Sequence, residues 1–161
     1  MIVNNKKGGA RNMQWKPNTT VAAIIEQEGR FLMVREDTAD GIRLNQPAGH
    51  LERGETLLDA VRREVLEETA WHFVPQALVG VYLADRAGSN ITYLRFAFCG
   101  SPLAEEPDRA LDDGILAAVW MTAEEIRASA ALHRSPAVLA SLEDYLAGQR
   151  LPLTALRRLT P

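Results

Sequence analysis

At 161 residues the chain can bury the core of one domain and is too short for two ordinary ones. Apolar residues at 47% and charged residues at 24% exclude a disordered or fibrous protein. The 21 acidic side chains outnumber the 18 basic ones, for a net charge of -3, so no overall positive field favours a long nucleic acid. A small anionic substrate stays open, because a bound divalent cation can supply positive charge locally.

Taken in chain order, the polar start Asn4 to Gly9 lacks the apolar core of a signal peptide, and residues 1–12 are expected to be a flexible, dispensable leader before a single domain over 13–161. Thr20 to Ile25 and Arg30 to Val34 are short apolar runs separated by Gln27-Glu28-Gly29, the pattern of a β-hairpin. Ala39-Asp40-Gly41 signals a turn, and Gln46-Pro47-Ala48-Gly49 reads as a loop that faces a ligand. Thr56-Leu57-Leu58-Asp59 has the form of a capping box, with Asp in place of the usual Glu, and opens a helix that runs to about Thr69. Strands are expected at Leu78 to Ala84, Ile91 to Cys99 and Ile115 to Met121, with an acidic loop from Glu105 to Asp113. Thr122 to Glu125 is a second capping box, and Ser135-Pro136 supplies an N-cap and first-turn proline for a last helix that ends near Gly148. Cys99 is the only cysteine, which excludes an intrachain disulfide and suits a reducing cytoplasm. No apolar run approaches the length of about 18 residues that a membrane span needs.

The helix from Thr56 breaks the usual amphipathic rule. Winding about 100° per residue puts Leu57, Ala60, Val61 and Val65 on one face. Glu64 and Glu68 fall on that same face and Glu67 at its border, while Asp59 and Arg62 take the outer side. Like charges spaced i,i+4 cost about 0.2–0.5 kcal/mol even in water, so the cluster needs a compensating cation. Magnesium suits it, because hard oxygen donors match a cation that keeps waters and shares its shell with substrate phosphates. The bland reading is an acidic surface helix whose glutamates pair with Arg62 and Arg63.

Spacing decides between the two. Gly49, five residues, Glu55, seven residues, then Arg63-Glu64-Val65-Leu66-Glu67-Glu68 resembles the Nudix box of the MutT-like Nudix hydrolases. Six fixed identities match, with chance odds on the order of one in 10⁵. Ala70 stands where the box has its helix-ending glycine. An alanine in that left-handed position would cost about 1–2 kcal/mol, so the helix is expected to end differently. Asn45 to Glu52, Leu94-Arg95-Phe96, Trp120, Arg134-Ser135-Pro136 and Gly148-Gln149-Arg150 are similar to the NudJ-type branch of the family, from about Met13 to Leu153.

The resemblance implies an α/β (α+β) fold, an α/β/α sandwich on a mixed β-sheet. It also implies hydrolysis of phosphoanhydride bonds in nucleoside di- and triphosphates or hydroxymethylpyrimidine pyrophosphate, with Mg²⁺ as cofactor and Mn²⁺ as a substitute. By the same resemblance Glu64, Glu67 and Glu68 are metal-site carboxylates, with the Ala48 carbonyl as a further donor. Glu55 and Arg63 would orient them through charge-assisted hydrogen bonds. The general base is Glu64 or a carboxylate of a later loop, for which Asp112 and Asp113 stand ready. Arg95, Arg134 and Arg150 are candidates for phosphate contacts, against the plain reading in which arginines lie along a sheet or tie down a helix. His50 is a loop-packing or substrate-contact residue, and Trp71 and Trp120 read as core. The partner is a small phosphorylated molecule, for a monomer or homodimer that meets neither membrane nor long nucleic acid. Rival readings are a non-catalytic nucleotide-binding module, an RNA 5′-end pyrophosphohydrolase that would need a basic groove, and an isoprenoid-diphosphate isomerase that would need a catalytic cysteine.

Overall fold

The computed structural model describes residues 15–159, so the expected leader lies outside the described residues. Seven strands, β1 (Asn18–Gln27), β2 (Arg30–Thr38), β3 (Gly41–Asn45), β4 (Ala48–His50), β5 (Trp71–Asp85), β6 (Thr92–Glu105) and β7 (Ile115–Thr122), alternate with helices α1 (Leu57–Thr69), α2 (Ala123–Ala128) and α3 (Ala137–Leu146). The β1–β2 hairpin forms where the two apolar runs predict it. Glu28 and Gly29 both take positive φ, 52° and 75°, the handedness that a two-residue hairpin turn favours.

β1 organises the sheet. One edge pairs in parallel with β6 from Asn18 to Ile25. The other edge is shared: β4 pairs antiparallel at Thr20 to Ala22, and β2 takes over at Glu26 and Gln27. β2 continues away between β3 and β7, and β5 closes the far side against β6. The sheet therefore opens between β4 and β2, and the candidate site sits there.

Both faces of β1 are buried, which is why it reads as a continuous apolar run instead of alternating. Val21, Ala23 and Ile25 pack with Ala60, Val61 and Val65 of α1, while Ile24 packs with Ile126 of α2 and Val138 and Leu142 of α3. This is the expected mixed sheet between helical layers, and each buried Val, Ile or Leu contributes about 1.5–3 kcal/mol.

The helix ends explain α1. Asp59 N–H donates to Thr56 Oγ1 at 3.1 Å and Thr56 N–H returns to Asp59 Oδ2 at 3.2 Å, so Asp serves the capping box as Glu would. At the other end the expectation from Ala70 is overturned. Ala70 adopts the left-handed conformation at φ 61°, with its N–H on Leu66 O at 3.0 Å, so the helix ends as a glycine would end it. Ala70→Gly is expected to raise unfolding stability by about 0.5–1 kcal/mol in denaturant titration, and no change would show that the strain is absorbed elsewhere.

Three further readings need correction. β3 and β4 fall where the sequence suggests only a turn and a loop, because pairing to β2 and β1 overrides Pro47 and Gly49. β5 begins at Trp71, seven residues before the strand at Leu78. As an edge strand it tolerates Pro75 and three register shifts that hide its periodicity. Ser135 does not cap α3 with its hydroxyl; only its carbonyl is engaged, by Val138 N–H at 3.2 Å.

Candidate active site

α1 delivers its carboxylates inward as the helical spacing requires. Ala60, Val61 and Val65 are fully buried, and Glu64 and Glu68 beside them are each only 8% exposed. Arg63 gathers the others. Its Nε and Nη2 grip Glu55 at 2.6 and 3.1 Å, its Nη1 donates to Glu64 at 2.8 Å and Glu67 at 2.9 Å, and Nη2 also reaches His50 O at 3.0 Å. Glu55 further accepts from Glu52 N–H at 3.0 Å, which pins the loop that precedes α1. The arginine hydrogen bonds hold the Glu55 carboxyl below its usual range and raise the Arg63 guanidinium still higher. Burial pushes Glu64 up, and Arg63 only partly offsets it.

Gly49 of β4 lies directly against Glu64, whose carboxylate occupies the space a side chain there would fill. On the neighbouring residue, Ala48 N–H donates to Glu68 Oε2 at 2.8 Å. Glu68 has no cationic partner among the described residues. Burial, joined by the charges of Glu36, Glu64 and Asp112, pushes its carboxyl up to about 8.

A cavity of about 740 Å³ opens beside this cluster in the gap of the sheet. Glu68, Ala48 and His50 line it from the box, and Arg95 and Arg134 from β6 and the approach to α3. Glu55, Arg63, Glu64 and Glu67 form an adjoining group and are not part of the wall. Arg150 lies elsewhere: its guanidinium covers the Tyr145 ring at 3.9 Å and caps carbonyls at the end of α3. Asp113 reaches the wall, and Asp112 donates its N–H to Glu67 O at 3.0 Å, which brings the later acidic loop against α1. His133 also reaches the wall, with its ring on Ile126 O at 3.0 Å. His72 pairs with Glu106 at 2.7 Å away from the cavity. Trp71 and Trp120 meet edge-to-face at 5.9 Å as core residues. Cys99 is buried in the core beneath α2 and α3 and takes no part in the wall, which removes the catalytic-cysteine reading.

Sequence reasoning missed Glu36 and Asn45. Glu36 accepts from Asn45 Nδ2 at 2.9 Å, and Asn45 Oδ1 accepts from Arg95 Nη2 at 2.8 Å. Asn45 stands within a quoted stretch of the branch resemblance, whereas Glu36 has no signal beyond being a charge at the end of an apolar strand.

The donors suit a hard divalent cation. Glu64 and Glu68 are buried oxygen donors whose charges are incompletely balanced, and Gly49 admits Glu64 to the backbone of β4. No three His, Cys, Asp or Glu side chains converge on one cation position among the described residues, because Glu64 and Glu67 are turned to Arg63.

The NUDIX domain family matches residues 15–141. The chain is similar to Phosphatase NudJ of Escherichia coli (strain K12), 41% identical over 140 residues that cover 86% of this chain and 90% of that one. Among solved structures, a NUDIX hydrolase from Nitrosomonas europaea is 50% identical with a TM-score of 0.87, covering 89% of this chain and 98% of its own. A MutT NUDIX hydrolase from Burkholderia pseudomallei, 22% identical at a TM-score of 0.63, shares the fold. With the carboxylates of α1 brought to an arginine-bearing cavity, these matches define a hydrolase of phosphorus-containing acid anhydrides. The chain belongs to the Nudix family.

Proposed function

We propose that the chain, acting in the cytoplasm through a single domain over 13–161, is a Mg²⁺-dependent hydrolase of small diphosphate- or triphosphate-bearing metabolites. Nucleoside di- and triphosphates and hydroxymethylpyrimidine pyrophosphate are the candidate substrates, and Mn²⁺ is a substitute metal. The observation that carries the reading is Glu68, a buried carboxylate without a cationic partner among the described residues, on the wall of a cavity that also presents Arg95 and Arg134. Glu64, Glu67 and Glu68, with the Ala48 carbonyl, would hold the cation, which when bound neutralises phosphate charge and acidifies water. Arg63 and Glu55 orient these ligands. Glu64, whose carboxyl burial raises, is the candidate to accept the proton of the attacking water. Arg95 and Arg134 supply cationic donors for the phosphates, and His50 stands at the same wall.

The test is a screen of these substrates with Mg²⁺ that resolves orthophosphate from pyrophosphate. Release of terminal orthophosphate, abolished by a chelator and restored by Mg²⁺ or Mn²⁺, is expected. Turnover that persists unchanged in chelator, or no turnover of any candidate, would overturn the proposal.

A further inference from the structure

Among the described residues, Arg95 is a buried cation with few partners. It lies on β6 between Thr20 of β1 and Tyr82 of β5, is only 6% exposed, and still borders the cavity. Among the described residues its side chain makes one hydrogen bond, Nη2 to Asn45 Oδ1 at 2.8 Å, although a guanidinium carries five N–H donors. Asn45, also 6% exposed, turns its other end to Glu36, with Nδ2 on Oε1 at 2.9 Å. The second oxygen of Glu36 stands 3.6 Å from Arg134 Nε. Arg134 is tied to the same strand end, its N–H on Leu44 O at 2.9 Å. Glu36 sits at a register shift between β2 and β7, the kind of irregularity that re-aims a side chain.

The order carboxylate, amide, guanidinium has a physical consequence. A carboxylate placed directly on Arg95 would take two donors of the fork and neutralise it. The Asn45 amide takes one donor, and the anion of Glu36 stays one side chain away. There it still opposes the burial that pulls Arg95 down to about 10, so the guanidinium is charged at neutral pH. The result is a buried cation with most donors unspent, facing the cavity that also holds Glu68. A buried charge balanced only at a distance, by Glu36 and Glu68, is tolerated where a ligand completes it.

We propose that Glu36 and Asn45 are positioning residues that hold the Arg95 fork open to grip a substrate phosphate, with Arg134, on the far side of Glu36, as a second arm. The inference rests on the anhydride-hydrolase reading and adds to it a device for selecting phosphorylated substrates, built from three strands outside the box.

Three isosteric variants test it, assayed with Mg²⁺ on the best substrate of the screen. Asn45→Asp places the anion on Arg95 and is expected to raise KM at least about tenfold with kcat within about threefold. The affinity for inorganic phosphate, measured by calorimetry, should fall in parallel. Glu36→Gln keeps an acceptor for Asn45 and removes the charge, and should raise KM and the phosphate dissociation constant about three- to tenfold. The double variant Glu36→Gln/Asn45→Asp restores hydrogen-bond pairing and net charge but leaves the anion against Arg95, so its KM should stay as high as that of Asn45→Asp. A merely structural network would be repaired by that exchange, and a return to wild-type KM would overturn the inference. So would Asn45→Asp with KM and phosphate affinity within twofold of wild type, or a fall in kcat and melting temperature alone. A wild-type protein that hydrolyses nothing in the screen defeats the functional reading instead, and phosphate calorimetry still decides the relay.

Discussion

Glu68→Gln is expected to lower kcat at least about a hundredfold while the protein stays folded, because the substitution removes one proposed anionic ligand and changes almost no volume. Its effect on stability has a sign that separates it from ordinary damage. In the metal-free protein the Glu68 carboxyl titrates at about 8 against an ordinary value of 4.5, pushed up by burial first and then by Glu36, Glu64 and Asp112, with Ala48 N–H opposing. Between those values the folded state holds a proton that the unfolded state has released. The stabilising contribution is therefore complete below pH 4.5 and gone once the pH has risen through about 8. Arg95, at about 10, stays charged across this window and does not obscure it. Thermal melts of wild type in chelator should fall from pH 5 to pH 8.5 more steeply than those of Glu68→Gln, and Mg²⁺ should restore wild type far more than the variant at the upper end. A variant that turns over at the wild-type rate, with the same metal requirement, removes Glu68 from the mechanism.

The box itself was legible because its physics is local. A capping box, a 3.6-residue repeat and carboxylates on the buried face all lie within one helix, and α1 runs from Leu57 to Thr69 as the spacing predicts. Glu28-Gly29 and Thr122 to Glu125 were legible for the same reason. The Arg95 relay was not: Arg95 stood out as a candidate phosphate contact, but its link through Asn45 to Glu36 joins β2, β3 and β6 and leaves no mark in any one segment. β4 shows the same limit: Pro47 and Gly49 carry loop propensity, and only pairing to Thr20, Val21 and Ala22 makes the segment a strand. Ala70 failed in the opposite direction. Its intrinsic cost in the left-handed region is real, yet Leu66 O accepts its N–H and its own carbonyl accepts from Glu106 N–H at 2.8 Å, so local strain is outweighed by tertiary anchoring.

Gly49→Ala should cost about 10²-fold or more in kcat/KM and somewhat less in stability. A methyl at this position would overlap the carboxylate of Glu64, so one of the two must move. The backbone is poorly placed to yield. Gly49 is paired with Val21 in β1, Ala48 with Ala22, and Ala23 N–H donates to Pro47 O at 2.9 Å on the same edge. Glu64 is the softer element, because its carboxylate is the end of a flexible side chain and can swing away at the loss of its 2.8 Å contact with Arg63 Nη1. That motion withdraws the proposed base and metal ligand from its place beside the cavity, and a displacement of even an ångström at such a group is enough to remove about two orders of magnitude in rate. The unfolding cost is expected to be about 1–2 kcal/mol. Glu64→Ala should make that cost disappear, so a double-mutant cycle on unfolding should show a coupling of about 1 kcal/mol or more between positions 49 and 64. Additive stabilities, or a Gly49→Ala protein with wild-type kcat/KM, would mean that this glycine is present for reasons other than the close approach of Glu64.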